Sequence, residues 1–180
     1  MKRYLTILVF LAAFSCAAFV QTSRAQGVVF KVPEDVFPMD WNKSGFKGML
    51  MLRKDSPSGI FISYPNDGES IGTLRERAVK FVAPTVISDD DGKKDFKLEK
   101  TTIPKREGDS SDAFYYSFAN KSSMVQVIVY ERMVNEKPFI YGYFAMKGKD
   151  VKPESVKKLW ADDKGQGVKI FEKFWKSLKE

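Results

Sequence analysis

The chain has 180 residues, with 30 Lys and Arg against 23 Asp and Glu, one cysteine and no histidine. That cysteine, Cys16, lies in an N-terminal leader, so the mature chain is expected to hold no thiol and no imidazole. This excludes disulfides, cysteine nucleophiles, His-based triads and His/Cys metal sites, and leaves a hydrophobic core as the means of holding about 155 residues together.

Residues 1–25 have the three zones of a secretory signal. Lys2 and Arg3 give the positive start, an apolar run extends from Leu5 to Val20, and Gln21–Ala25 form a polar exit. Ser23 and Ala25 set small side chains three and one residues before a cut ahead of Gln26. The run is shorter than the ~20 residues of a permanent membrane helix. An alternative is a lipoprotein cut ahead of Cys16, although Phe14 and Ala13 depart from the usual residues there. Residues 26–180 then read as one domain, exported to the periplasm or secreted. Without Lys2, Arg3 and Arg24 the balance falls to 27 basic against 23 acidic residues, and the excess lies entirely in residues 147–180.

In chain order, Gly27–Val32 reads as a short strand. Glu34–Trp41, with Pro38 inside it, reads as a loop dropping Phe37 and Trp41 onto the core. Phe46–Arg53 and Gly59–Tyr64 read as strands joined by a Ser/Pro turn. Apolar residues from Ile71 to Ala83 recur at helical spacing, with Ser70 a candidate N-cap, Thr73 and Glu76 a competing capping box, and Pro84 the expected stop. Arg75 falls beside that apolar stripe and is expected to snorkel to solvent.

Four more strands follow: Phe96–Ile103, Ala113–Phe118, Met124–Met133 and Phe139–Met146. In the third, Val125, Val127 and Val129 oppose Met124, Ile128 and Tyr130. In the fourth, Phe139, Tyr141 and Tyr143 oppose Ile140, Phe144 and Met146. Both faces are apolar, so both need cover. Pro153 is expected to open a helix running to about Trp160. A last helix then sets Val168, Ile170, Phe171, Phe174, Trp175 and Leu178 on one half, and Lys169, Glu172, Lys173, Lys176 and Lys179 on the other.

This order comes with the landmarks Phe30-Lys31-Val32-Pro33, Trp41, Ala113-Phe114-Tyr115-Tyr116, Tyr141-Gly142-Tyr143 and Phe171-Glu172-Lys173-Phe174. Together they resemble the PsbP-like superfamily, which includes DcrB-like envelope proteins. The resemblance implies an α+β fold, an antiparallel sheet covered by helices on both faces as an α/β/α sandwich, and an accessory or binding role. It supplies no active residues to carry across.

Candidate chemistry is sparse. Ser155-Val156-Lys157-Lys158 has Ser-x-x-Lys spacing, yet the companion motifs of penicillin-binding enzymes are missing. Asp89-Asp90-Asp91-Gly92 fails the register of a calcium loop. Asn42-Lys43-Ser44 and Asn120-Lys121-Ser122 are glycosylation sequons only in a eukaryotic host. No cofactor, no nucleic-acid partner and no membrane span in the mature chain are implied. Lys169, Lys173 and Lys176 are the candidate residues for binding a protein or anionic surface. Tyr116, Tyr130, Tyr141 and Tyr143 are the candidates for lining a site for a small apolar ligand between sheet and helix. The expectation is thus an exported, non-enzymatic accessory or binding protein, with a carrier or sensor of such a ligand as the alternative.

Overall fold

A computed structural model describes residues 22–25, 28–54, 58–86, 97–119, 124–147 and 166–178. The expected helix at Pro153–Trp160, the acidic turn at Asp89–Asp91, Ser155 and the sequon at Asn120 lie outside them.

Strands β1 (Thr22–Ala25) and β2 (Val28–Lys31) form a separate antiparallel ribbon. Then come β3 (Val36–Asp40), β4 (Lys47–Arg53), β5 (Ser58–Tyr64), helix α1 (Ile71–Val86), β6 (Lys97–Ile103), β7 (Ala113–Ala119), β8 (Met124–Val134), β9 (Lys137–Lys147) and helix α2 (Gln166–Ser177). The strands from β3 onward form one antiparallel sheet in the order β3-β4-β5-β9-β8-β7-β6. The longest pair, β8 and β9, stands near its middle and is closed by Asn135 and Glu136, both at positive φ. Positive φ at both central residues is the backbone that matches the twist of a two-residue hairpin.

Glu34–Trp41 contains a strand where the sequence suggested a loop. Pro38 is tolerated because β3 is an edge. Trp41 donates its backbone N–H to Gly48, so by alternation the N–H positions of 37 and 39 face β4 and position 38 faces outward. A proline there removes no ladder bond. Trp41 is buried as expected, but Phe37 and Met39 are 65% and 47% exposed. They sit opposite Leu52 and Leu50, on the sheet face that carries α1. That helix packs mainly over β5, β8 and β9.

The alternation read from β8 and β9 sorts their side chains into two cores. Ile128, Tyr130, Phe139, Tyr141 and Tyr143 join Met51, Ile60 and Ile62 under α2 and β2. Val125, Val127, Val129, Ile140 and Phe144 join Leu50 and Phe61 under α1, Trp41 and Phe46. Two glycines allow rings to lie flat on this second face. A Cβ on Gly142 would come within 2.5 Å of the Phe61 ring, and one on Gly59 within 2.7 Å of Phe144. These are also the cross-strand pairs Phe61–Gly142 and Gly59–Phe144.

The expected α/β/α sandwich is overturned. The described residues form chiefly a seven-stranded antiparallel sheet, with one helix of 16 residues and one of 12. The reason is dimensional. Seven strands about 4.8 Å apart span about 29 Å, whereas a helix covers only about 10 Å. Neither helix makes a layer, and among the described residues non-helical parts add to the cover. Val28 and Phe30 of the ribbon close one core, with Phe30 edge-on to Phe174 at 5.5 Å. On the other face Trp41 stacks on Phe46 at 4.2 Å and meets Phe81 at 5.5 Å.

Ser70 caps α1 as expected, its Oγ accepting the Thr73 N–H at 3.1 Å. Pro84 does not stop the helix, which runs on to Val86. A proline in a helix loses the bond from its own nitrogen and crowds the carbonyl four residues back, but only two helical residues follow this one, so little of the ladder lies beyond the disturbance.

Candidate functional site

The four candidate tyrosines do not share a site. Tyr116 lies on the α1 face, while Tyr130, Tyr141 and Tyr143 lie on the α2 face. Strand alternation separates them: Tyr116 pairs with Val127, whereas Tyr130 pairs with Tyr141 and Tyr143 with Ile128.

On the α2 face the rings pack on one another. Tyr130 stacks on Tyr141 at 5.2 Å, and Phe171 lies 5.9 Å from Tyr130, 6.2 Å from Tyr141 and 5.9 Å from Tyr143. The loop between β6 and β7 adds Arg106 and Asp109. The Arg106 guanidinium lies 4.7 Å from the Tyr130 ring centre and 5.0 Å from those of Phe171 and Trp175. It also donates to Glu172 at 2.6 Å. Asp109 is buried and accepts the Tyr141 hydroxyl at 2.7 Å and the Arg106 backbone N–H at 3.1 Å. The space between sheet and helix at this point holds the chain's own aromatic rings and ion pair.

Burial pushes the Asp109 carboxyl above the usual carboxylate range, against the opposing pull of the Tyr141 hydroxyl and the Arg106 N–H. Burial, reinforced by the Asp109 carboxylate, raises Tyr141 as well, so that hydroxyl stays a donor. An acid whose folded pKa is raised is destabilising while ionised, and the penalty is relieved as pH falls through the folded pKa. Wild type should therefore gain stability relative to Asp109→Asn on acidification from pH 7, levelling off below the ordinary carboxylate pKa. Urea midpoints of both proteins across that range check it, and an opposite slope would refute the assignment.

On the α1 face the polar group is Arg75, Glu76, Lys100, Tyr116 and Glu131. Arg75 does not snorkel. Its guanidinium lies 3.6 Å from the Phe114 ring centre, donates to the Tyr116 hydroxyl at 3.1 Å and pairs with Glu131. Glu131 also accepts from Ser111 at 3.0 Å. The Tyr116 hydroxyl donates to Glu76 at 2.9 Å, and Lys100 donates to the same carboxylate at 2.9 Å. Burial, then the bond to Glu76, holds the Tyr116 hydroxyl above its ordinary pKa. Beside this network, and sharing Arg75 and Glu76 with it, an open depression of about 610 Å³ is lined by Ser70, Gly72, Thr73, Arg75, Glu76, Arg77 and Lys80. Its lining includes none of the four tyrosines, and its Arg77 is held in a forked contact by Glu69.

Sequence reading missed Arg106, Asp109 and Glu131. The first two lie in a segment read only as a turn, where periodicity carries no information. Glu131 did carry a signal: it continues the face of Val125, Val127 and Val129, and a carboxylate on a buried face requires a partner.

The lysines stand as the helical pattern set them. Lys169, Lys173 and Lys176 are exposed, while Ile170, Phe171, Phe174 and Leu178 are buried. Offsets of four and seven residues keep the three within about 60° of one another around the helix and spread them over about 10 Å of its length. Among the described residues no helix is long and apolar enough to cross a membrane, and no group of three or more carboxylates is arranged to hold a metal ion. No family model matches the chain, and no curated protein is significantly similar to it in sequence.

Proposed function

We propose that this chain is an exported, non-enzymatic accessory protein that binds an anionic partner through the outer face of α2. The observation that carries the reading is the exposed stripe of Lys169, Lys173 and Lys176 on a helix anchored by Phe171 and Phe174. The anchored side keeps the helix from turning, so the three ammonium groups are presented together as a local positive field.

The test replaces all three lysines with glutamine. Each change is to solvated surface and should alter stability by no more than about 0.5 kcal/mol. Binding to immobilised polyglutamate and to vesicles containing anionic phospholipid would be measured across salt concentrations. The triple variant should bind several-fold more weakly to whichever probe wild type prefers, with a shallower salt dependence. Equal binding by both proteins would remove α2 from the interface.

A further inference from the structure

We infer that the leader is cut upstream of β1, at the Ala17–Ala18 bond, so that Thr22–Ala25 remain in the mature protein as a structural strand. The inference rests on the export reading above and fixes where processing occurs.

Two independent observations carry it. The first is the ribbon. Thr22–Ala25 pair in antiparallel register with Val28–Lys31, from Thr22–Lys31 to Ala25–Val28. Only Gln26 and Gly27 separate the closing pair, the spacing of a two-residue hairpin. In such a ladder Ala25–Val28 and Ser23–Phe30 are the pairs that exchange backbone bonds. The other edge of β2 is committed elsewhere, since the Lys31 N–H donates to Ser177 Oγ at 2.9 Å. Hydrolysis ahead of Gln26 would detach β1 from β2 and strip Val28 and Phe30 of their partner strand. These two residues are 1% and 0% exposed and help to close the core beneath α2.

The second observation is the length of the apolar run. A secretory signal carries an apolar stretch of about 7–15 residues before its cleavage site. Leu5–Phe14 spans 10 residues, whereas a run to Val20 spans 16. Directly after Phe14, Ser15 and Ala17 stand three and one residues before the Ala17–Ala18 bond, the small-residue pattern a signal peptidase admits. The step is a simple hydrolysis: water adds across that amide, leaving a carboxylate on Ala17 and a new amino terminus on Ala18. Cys16 still departs with the leader.

The full-length chain, expressed in a bacterium with a working secretion pathway, provides the test through the intact mass of the exported product. A product beginning at Ala18 supports the inference. One beginning at Gln26 overturns it while leaving export intact, and a lipid-modified product beginning at Cys16 overturns it in favour of acylation. An unprocessed cytoplasmic chain sinks the export reading and this inference together. Two variants separate the cut sites without depending on the folded state. Ala17→Leu should block processing and Ala25→Leu should leave it unchanged; the reverse pattern would place the cut after Ala25.

Discussion

Phe171→Ala should lower stability by about 3–5 kcal/mol, the largest single effect expected in this chain. Phe171 is 1% exposed and meets Tyr130, Tyr141, Tyr143 and Phe174 through its ring, with Arg106 over it. Truncation loses the transfer free energy of a phenyl ring and leaves a cavity whose walls are themselves rigid rings. Such walls collapse poorly, which favours the upper part of that range. For a domain of total stability about 5–15 kcal/mol, the variant would be close to unfolding. Urea midpoints measure it, with Phe171→Leu as a milder companion. A loss below about 1 kcal/mol would mean that α2 does not dock on the sheet.

The second large effect lies on the opposite face. The Arg75 and Glu131 side chains are only 13% and 10% exposed, and they pair directly. Glu131→Gln keeps the shape but leaves a guanidinium without its main counter-charge, at a cost of about 3–5 kcal/mol for a buried pair. Glu76, 4.0 Å from Arg75 and 41% exposed, offsets part of this and favours the lower end. The double change Arg75→Met with Glu131→Leu should be better tolerated than Glu131→Gln alone, because it removes both charges and their desolvation together. Measured as a double-mutant cycle at neutral pH, the two sites should be strongly coupled. Additive single effects would mean the two groups are solvated and independent.

Both experiments probe places where sequence reading succeeded to different degrees. The amphipathic stripe that marks Phe171 as buried and Lys173 as exposed is a property of a single helix, so it is legible without knowing what the helix packs on. The same holds for the alternation along β8 and β9, since a strand's period of two assigns each side chain to a face. Arg75 and Glu131 are 56 residues apart. Local patterns placed each on an apolar face, and nothing local could say that the two faces were the same one.

What the sequence alone determined, then, was whatever depends on the spacing between neighbours. It set the central strands, the start of α1, the two-faced last helix, and the absence of histidine and of any cysteine after Cys16. Tertiary structure decided what covers the sheet. A strand with two apolar faces requires cover but does not specify its form, and seven strands are too wide for one helix on each side. Among the described residues the ribbon with Phe30 and the loop aromatics Trp41 and Phe46 add to the cover. Tertiary structure also divided the four tyrosines between two cores, exposed Phe37 at an edge and drew Arg106 and Asp109 from an unremarkable loop into a ring-lined ion pair and a buried carboxylate. Each of these depends on which strand lies beside which, and hence on contacts between residues far apart in the chain, which local periodicity does not encode.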